Sequence, residues 1–360
     1  MENNYDFLIV GAGLYGCVCA RELVKRGFKV LVIEKRNHIG GNCAVKTHKG
    51  VVEHIYGPHI FHTDNKATWD YLNDIEPFVP YRHKVIVVNN GLQYDFPINR
   101  NTLNKVLGYG RKLPQRDDIV PQNFEEAAIG MIGKKLYNLF YRDYTAKQWG
   151  CDPKVFPAEI LTRVPVREDC NNEYFNDKYM GVFSSNRIFL KLLKGATVKL
   201  NCAFDKSKHS YIAKKTIYTG MIDEYKNYCY GELPYRSLRF EKRKVKPFEN
   251  QGIAVINYTD TRPYTRTTEY GYMYNEKQVG GDRWYEYPVA EYVQGKKVEP
   301  YYPMPTEQAQ ALYKKYFTIA SRDDFRSGCV VYFGGRLGSY KYLNMDIVVE
   351  QALELIDKIC

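Results

Sequence analysis

Four apolar residues in a row, Phe7-Leu8-Ile9-Val10, run into Gly11-Ala12-Gly13-Leu14-Tyr15-Gly16, and a longer mixed stretch leads to a second apolar run, Val30 to Ile33. A short apolar run bounded by glycine predicts a strand buried on both faces, and the stretch between the two runs predicts a helix. Lys84–Val88 and Leu92–Phe96 alternate around Asn89-Asn90-Gly91, a hairpin signal. From about 101 to 150 the pattern is helical, with Asn123 as a cap, Glu125 and Glu126 in the first turn, and Leu136–Tyr141 carrying the pattern on. Past 195 strands dominate: 214–220 reads as a strand returning to the first unit, and segments near 235–245, 251–258 and 281–288 alternate as an antiparallel sheet would. Cys329–Phe333 is an apolar strand ending in Gly334-Gly335-Arg336, followed by a helix over about 345–358.

The opening strand–glycine–helix–strand unit ends on Glu34, 23 residues after Gly11, which makes it a dinucleotide-binding fingerprint in its required context. Gly11 suits the tight turn, Gly13 the close approach of a pyrophosphate, and Gly16 close helix–strand packing; the helix N-terminus offers free N–H groups to the phosphates. Glu34 suits a ribose hydroxyl and repels a ribose phosphate. Lys35 to Asn42 then adds Gly40-Gly41, an extension typical of the FAD-binding type. The fold expected is α/β, a discontinuous FAD-binding Rossmann-like domain (1–80, 200–235 and 325–360). It carries a helical insert (98–180) and an antiparallel-sheet insert (81–97 and 236–324).

Charge and cysteine narrow the setting. The 52 basic residues outnumber 41 acidic ones, a net +11 spread along the chain without a nucleic-acid motif. That favours a positive field for a doubly anionic small substrate over a nucleic-acid surface. The longest uncharged apolar stretch, Phe7 to Ala20, is short of the roughly 20 residues of a membrane span. The nine cysteines form no C-x-x-C pair, which argues against a zinc site or disulfide framework and fits a reducing cytoplasm.

Over nearly its whole length the chain resembles the flavin-dependent UDP-galactopyranose mutases. The resemblance rests on Gly11–Asn42, Tyr56–Thr63, Tyr144–Gly150, Arg163–Arg167, Tyr174–Asp177, Tyr235–Leu238, Pro263–Arg266, Glu299–Pro303 and Gly334–Tyr342. It implies interconversion of UDP-galactopyranose and UDP-galactofuranose with no net redox change, the furanose serving polysaccharide biosynthesis. In that family reduced FAD attacks the anomeric carbon through N5, and the flavin–sugar adduct opens and recloses through the other ring oxygen. An external reductant is then required.

The resemblance also implies roles. Lys35, Gly41, Asn42, His59, Arg336 and Tyr342 fall with the cofactor-binding glycines and Glu34. Arg163 and Arg266 are the expected phosphate arginines, Arg236 a weaker candidate, since a guanidinium binds two phosphate oxygens at once. Phe140, Tyr144 and Trp149 are expected at uracil, the first two on one helical face. Tyr174, Tyr302 and Tyr342 are expected to donate to the diphosphate, and Glu286 to orient the arginines. His59, with a near-neutral titration, is expected at the flavin face as a tuner or proton carrier, beside His62. Two departures stand out: Asn344, where the family usually has Asp, and Gly181–Arg187, where it has a different turn. They leave open a related mutase of another nucleotide sugar, N-acetylated or 6-deoxy; a flavin oxidoreductase and a non-catalytic nucleotide-sugar sensor are more distant readings. A homodimer is compatible with the sequence.

Overall fold

The computed structural model describes all residues except 1–4, 114–119, 159–165, 210–211, 275–280, 291–297 and 328, and the backbone alone of 321–327. In chain order, β1 (Phe7–Val10), α1 (Leu14–Lys25) and β2 (Val30–Ile33) open the fold. The hairpin β3 (Val85–Asn89) and β4 (Leu92–Phe96) precedes α2 (Asp143–Trp149), β5 (Thr197–Lys199) and β6 (Lys215–Tyr218). Then come β7 (Tyr235–Val245), β8 (Val255–Tyr258), β9 (Arg266–Thr268), β10 (Gly281–Val289), β11 (Tyr302–Pro303), β12 (Val330–Phe333) and α3 (Met345–Ile359).

Five strands form a parallel sheet in the order β5-β2-β1-β6-β12. Every residue of β1 and β2 is buried, as parallel strands covered on both faces require. Helix α1 presents Cys17, Ala20 and Leu23 to a core shared with Val349, Ala352 and Ile356 of α3. The small residues on α1 let the two helices approach closely, and Arg26 ties their ends by pairing with Asp357 and donating to the Ile356 carbonyl at 2.7 Å.

Seven strands form the second sheet, in the order β11-β7-β10-β9-β8-β3-β4. The hairpin forms as its sequence predicts, with Asn90 at φ 48° and Gly91 at φ 82°, the left-handed pair that a two-residue turn needs. The alternation in 235–288 implies an all-antiparallel sheet, and here the structure differs. β8 runs parallel to β3, with Val255 to Tyr258 opposite Val85 to Val88. The sheet is mixed because the hairpin joins it from an earlier part of the chain. A third, small sheet joins Phe61–Thr63 and Val79–Pro80 to Tyr179–Val182. The 56–60 segment leads into it, with Gly57 lying against Phe240 and Glu286 of the seven-stranded sheet.

The predicted cap at Asn123 is present: its Oδ1 accepts from Glu126 N at 3.0 Å. The helical stretch up to residue 149 contains an interruption that its pattern did not disclose, a π-turn over Asn138–Arg142. Among the described residues no helix is long and apolar enough to cross a membrane, and no cluster of side chains could hold a metal ion.

Candidate active site

Two glycine turns lie side by side at the C-terminal end of β1. Gly40 N donates to Ala12 O at 2.8 Å, and a side chain at Gly41 would meet Gly13 Cα at 2.9 Å. Gly11, at φ +106°, has no space for a Cβ, which would fall 2.1 Å from Thr219 Oγ1; one at Gly16 would strike the Gly11 carbonyl at 2.1 Å. Gly13 differs: it is extended, and beyond its chain neighbours the nearest atom to its missing Cβ among the described residues is Gly41 Cα, at 3.9 Å. Among the described residues no side chain caps α1, so its first N–H groups are left for an anion. The result is a bare backbone floor at a helix N-terminus, which fits a pyrophosphate.

Glu34 is buried, with Oε2 accepting from Ala12 N at 2.8 Å and Oε1 from Arg36 N at 2.9 Å. It braces both turns and retains carboxylate lone pairs for a ribose hydroxyl. Lys35 is half-exposed and reaches Glu299 at 3.5 Å. Arg36, which the sequence reading passed over, is the better-placed cation. It bonds Asn42 Oδ1 at 3.0 Å and Glu299 Oε2 at 2.9 Å, and lies 4.6 Å from the centre of the Tyr56 ring.

From this floor the chain leads directly to a cavity of about 700 Å³. Thr219, against Gly11, is also the neighbour of Gly335, and Arg336 next in sequence lines the cavity. Its Nη2 donates to Leu343 O at 2.8 Å, and its guanidinium lies 4.7 Å from the Tyr342 ring centre. Tyr342 stacks on Tyr302 with centroids 5.1 Å apart. Arg266 lines the same cavity, donating from Nε to Asn257 Oδ1 at 3.0 Å and pairing with Glu286 at 3.5 Å. Its Nη2 donates to the Tyr144 hydroxyl at 3.5 Å. Burial opposes the Arg266 charge, but Glu286 and the surrounding phenols hold its pKa well above the ordinary value. Burial also pushes the Tyr174 and Tyr302 phenols upward, so they stay neutral donors.

Phe140, Tyr144 and Trp149 all line the cavity, but not from one regular helical face. Phe140 sits in the π-turn, almost wholly buried and stacked at 5.9 Å on Phe96, so it is part core and part wall. The turn inserts a residue ahead of α2, re-aiming Tyr144 toward Arg266. Trp149 closes the end of α2, 6.1 Å from Tyr302.

The histidines depart from expectation. Burial, with Arg336 and Arg266 nearby, lowers His59 to about 4, so it does not titrate near neutrality. Its Nδ1 donates to Gly57 O at 2.7 Å, leaving Nε2 as an acceptor. Its backbone N–H donates to His54 Nδ1 at 2.9 Å. His54 Nε2 therefore donates to Tyr274, whose hydroxyl donates to Phe183 O. Burial lowers His54 to about 3 and, with Arg266 adding to it, His83 to about 3. His62 stacks on Phe175 at 3.7 Å and meets Asp177 at 3.0 Å.

Two expectations are not met at the cavity, and a third cannot be placed there or elsewhere. Arg236 is buried beside it, donating to Gln148 O at 3.0 Å and Lys147 O at 3.4 Å; it holds the end of α2 and does not line the cavity. Gly181–Arg187 is spent on strand pairing with Phe61 and on Asn186 bonds to Val45, and lines none of it. Arg163 lies outside the described residues. Asn344 does line the cavity, at the N-cap of α3 with its side chain uncommitted to the cap. Sequence reasoning missed Asn257 and His83; the alternation of β8 marks Asn257 as a polar residue among Val255 and Ile256, the available signal.

The UDP-galactopyranose mutase family model matches residues 139–342, and an NAD(P)-binding Rossmann-like domain model matches residues 9–75. A probable UDP-galactopyranose mutase of Klebsiella pneumoniae is 36% identical over 99% of this chain and 95% of its own length. The chain belongs to the UDP-galactopyranose mutase family. A dTDP-fucopyranose mutase of Escherichia coli, 33% identical over 96% of both chains, shows that related sequences act on more than one nucleotide sugar. The crystal structure of a reduced UDP-galactopyranose mutase shares the fold, with a TM-score of 0.75 at 17% identity, covering 99% of this chain and 95% of that one. Members of this family are flavoproteins, and the double-glycine floor is where a dinucleotide fits.

Proposed function

We propose that this enzyme binds FAD and, with the flavin reduced, interconverts UDP-galactopyranose and UDP-galactofuranose without net oxidation. The observation that carries the reading is one cavity containing two guanidiniums, Arg266 and Arg336, and three phenols, Tyr174, Tyr302 and Tyr342, beside the backbone floor of the dinucleotide site. That donor set suits a diphosphate held next to a cofactor ring. Reduced flavin supplies an electron-rich ring nitrogen able to act as nucleophile, which removes the need for a side-chain nucleophile.

The protein's own part is electrostatic and steric. Arg266, kept charged by Glu286, holds the diphosphate and stabilises the negative charge that grows on it as the anomeric bond weakens. The phenols donate without adding charge. Phe140, Tyr144 and Trp149 supply aromatic surface for uracil and exclude water. His59, neutral at physiological pH, presents Nε2 as an acceptor for a hydroxyl proton while Nδ1 stays anchored on Gly57. Arg336 favours negative charge on a neighbouring ring.

The test is turnover of UDP-galactose by dithionite-reduced protein under anaerobic conditions, with products resolved by chromatography. Furanose product from reduced protein and almost none from air-oxidised protein supports the reading; equal rates in both states refute it. The dTDP-fucopyranose mutase relative, together with Asn344, favours one second reading, a mutase of a 6-deoxy nucleotide sugar, which the same assay distinguishes by substrate.

A further inference from the structure

Lys147 stands one turn after Tyr144 on α2, outside the cavity lining, and its ammonium is enclosed by backbone. Nζ lies 2.9 Å from Tyr258 O, 3.1 Å from Asp260 O, 2.8 Å from Arg262 O and 3.0 Å from Tyr264 O. These are alternate carbonyls running from the last residue of β8 through the loop that leads to β9, the strands that bear Asn257 and Arg266. An ammonium has three protons, so four acceptors share them. Without it, four carbonyl dipoles converge on one point with no donor between them. Lys147 is thus the bolt between two walls: α2, with Tyr144 and Trp149, and the loop that delivers Arg266.

We propose that Lys147 is a positioning residue for the nucleotide-sugar site, its ammonium fixing α2 to the 258–264 loop so that Tyr144, Trp149 and Arg266 close on one diphosphate-linked ligand. This rests on the functional reading above. The Arg266–Tyr144 contact, at 3.5 Å, spans the joint that Lys147 bolts. Arg236 secures the same end of α2 from the other side through the carbonyls of Lys147 and Gln148. A neutral amine donates only two protons and carries no charge, so the bolt works in its protonated form alone.

That form is lost within an accessible pH range. Burial is the main cause lowering the Lys147 pKa to about 8, with Arg262 adding to it, while the Asp260 and Asp143 carboxylates oppose the shift. The Tyr258 and Tyr264 phenols, whose rings pack against each other beside the loop, are shifted upward by burial and stay neutral there. The group that titrates across this joint near pH 8 is Lys147.

The experiment measures UDP affinity of flavin-loaded protein by calorimetry from pH 6.5 to 9.5, for the native chain, Lys147→Met and Lys147→Arg. The native chain is expected to bind UDP with constant affinity below about pH 8 and more weakly above it. Lys147→Met should bind roughly 10-fold or more weakly at pH 7, with no weakening between pH 7 and 9, and with flavin content retained. Lys147→Arg keeps the charge but is too broad for the cage, so it should bind weakly and also without the alkaline limb. If Lys147→Met does not fold, Lys147→Arg, whose charge does not change over this range, supplies the comparison, and a native-like alkaline limb in it overturns the inference. An affinity that stays level in the native chain, or a Lys147→Met profile that matches it, overturns the inference. A native chain that does not bind UDP at any pH instead refutes the functional reading on which it rests.

Discussion

Arg266 and Glu286 face each other across β9 and β10 as directly paired residues, with Nη1 and Oε2 3.5 Å apart inside the cavity. A cross-strand pair fixes both side chains to rigid backbone, so the guanidinium is held in place before any ligand arrives. Asn257 on β8, the directly opposite residue on the other neighbouring strand, holds Nε. Three adjacent strands thus aim one cation.

Arg266→Ala should therefore lose a charge-assisted bond to the diphosphate, worth about 1.5–3 kcal/mol, or roughly 10- to 150-fold in kcat/KM. Arg243→Ala, on an exposed stretch of β7, should change it by less than about twofold. Flavin content should be the same in both. Similar kinetics for the two variants would remove Arg266 from the site.

Gly13→Val separates the fold from the cofactor. The backbone at Gly13 is extended, at φ −74° and ψ 178°, and the space over it is open. Valine is compatible with such backbone, so the melting temperature should stay within a few degrees of the native apoprotein. The new methyls occupy the pyrophosphate's approach, so the purified variant should be colourless. Gly11→Val should fail differently, by not folding, because of its positive φ and the contact with Thr219. A yellow Gly13→Val protein would contradict the assignment of the floor.

Much of this was legible in residues. The β1–Gly–α1–β2 unit, the Asn90-Gly91 hairpin and the Asn123 cap all come from local chemistry, which sequence states directly. The parallel join of β8 to β3 does not, because strand direction depends on a partner 170 residues away. The π-turn at 138–142 leaves no mark in the apolar spacing, since Phe140 and Tyr141 are buried in either geometry. The family resemblance put His59 among the site residues and it lines the cavity, but residue type overestimated its readiness to titrate, because burial is a property of the fold. Arg236 was misread for a related reason: a motif identifies an arginine without showing which way its guanidinium turns.

The buried histidines should make the protein acid-labile. His54, His59 and His83 have folded pKa values of about 3, about 4 and about 3, below the ordinary 6.5. A depressed folded value contributes stability that is complete above the unfolded pKa and is lost as pH falls toward the folded one. Near pH 5 unfolding takes up about three protons at these rings, a slope of about 4 kcal/mol per pH unit. The melting temperature should fall steeply between pH 6.5 and 4.5, and His54→Gln should lessen the slope by about a third. A flat profile over that interval would mean the rings are solvated.

Asp223 acts with the opposite sign. It is buried, Oδ2 accepts from Leu233 N at 2.8 Å, and Oδ1 has no hydrogen-bond partner among the described residues. Burial raises its pKa to about 6. A raised folded value contributes stability that is complete below the unfolded pKa and lost as pH rises through the folded one. Asp223→Asn keeps an acceptor for Leu233 and removes the charge, so at pH 8 it should be more stable by about 2–3 kcal/mol. The gain should vanish near pH 4, where Asp223 is itself neutral. Denaturant melts at the two pH values check both halves.

Asn344 decides the last expectation, because two physical effects of Asn344→Asp can be read separately. The residue is the N-cap of α3, where a carboxylate interacts favourably with the helix dipole by about 0.3–1 kcal/mol. Its side chain also lines the cavity that holds Arg266 and Arg336, so the same charge opposes a diphosphate. The variant should melt slightly higher than the native protein while its KM for a nucleotide sugar rises and kcat changes little. An amide at this position donates as well as accepts, which relaxes the demand for a particular sugar hydroxyl. The native chain should accordingly accept a 6-deoxy analogue beside UDP-galactose, and Asn344→Asp should discriminate between them more sharply. Kinetics on UDP-galactose, UDP-N-acetylgalactosamine and the 6-deoxy analogue, in the reduced state, test this. Unchanged KM with a higher melting temperature would confine Asn344 to its helix.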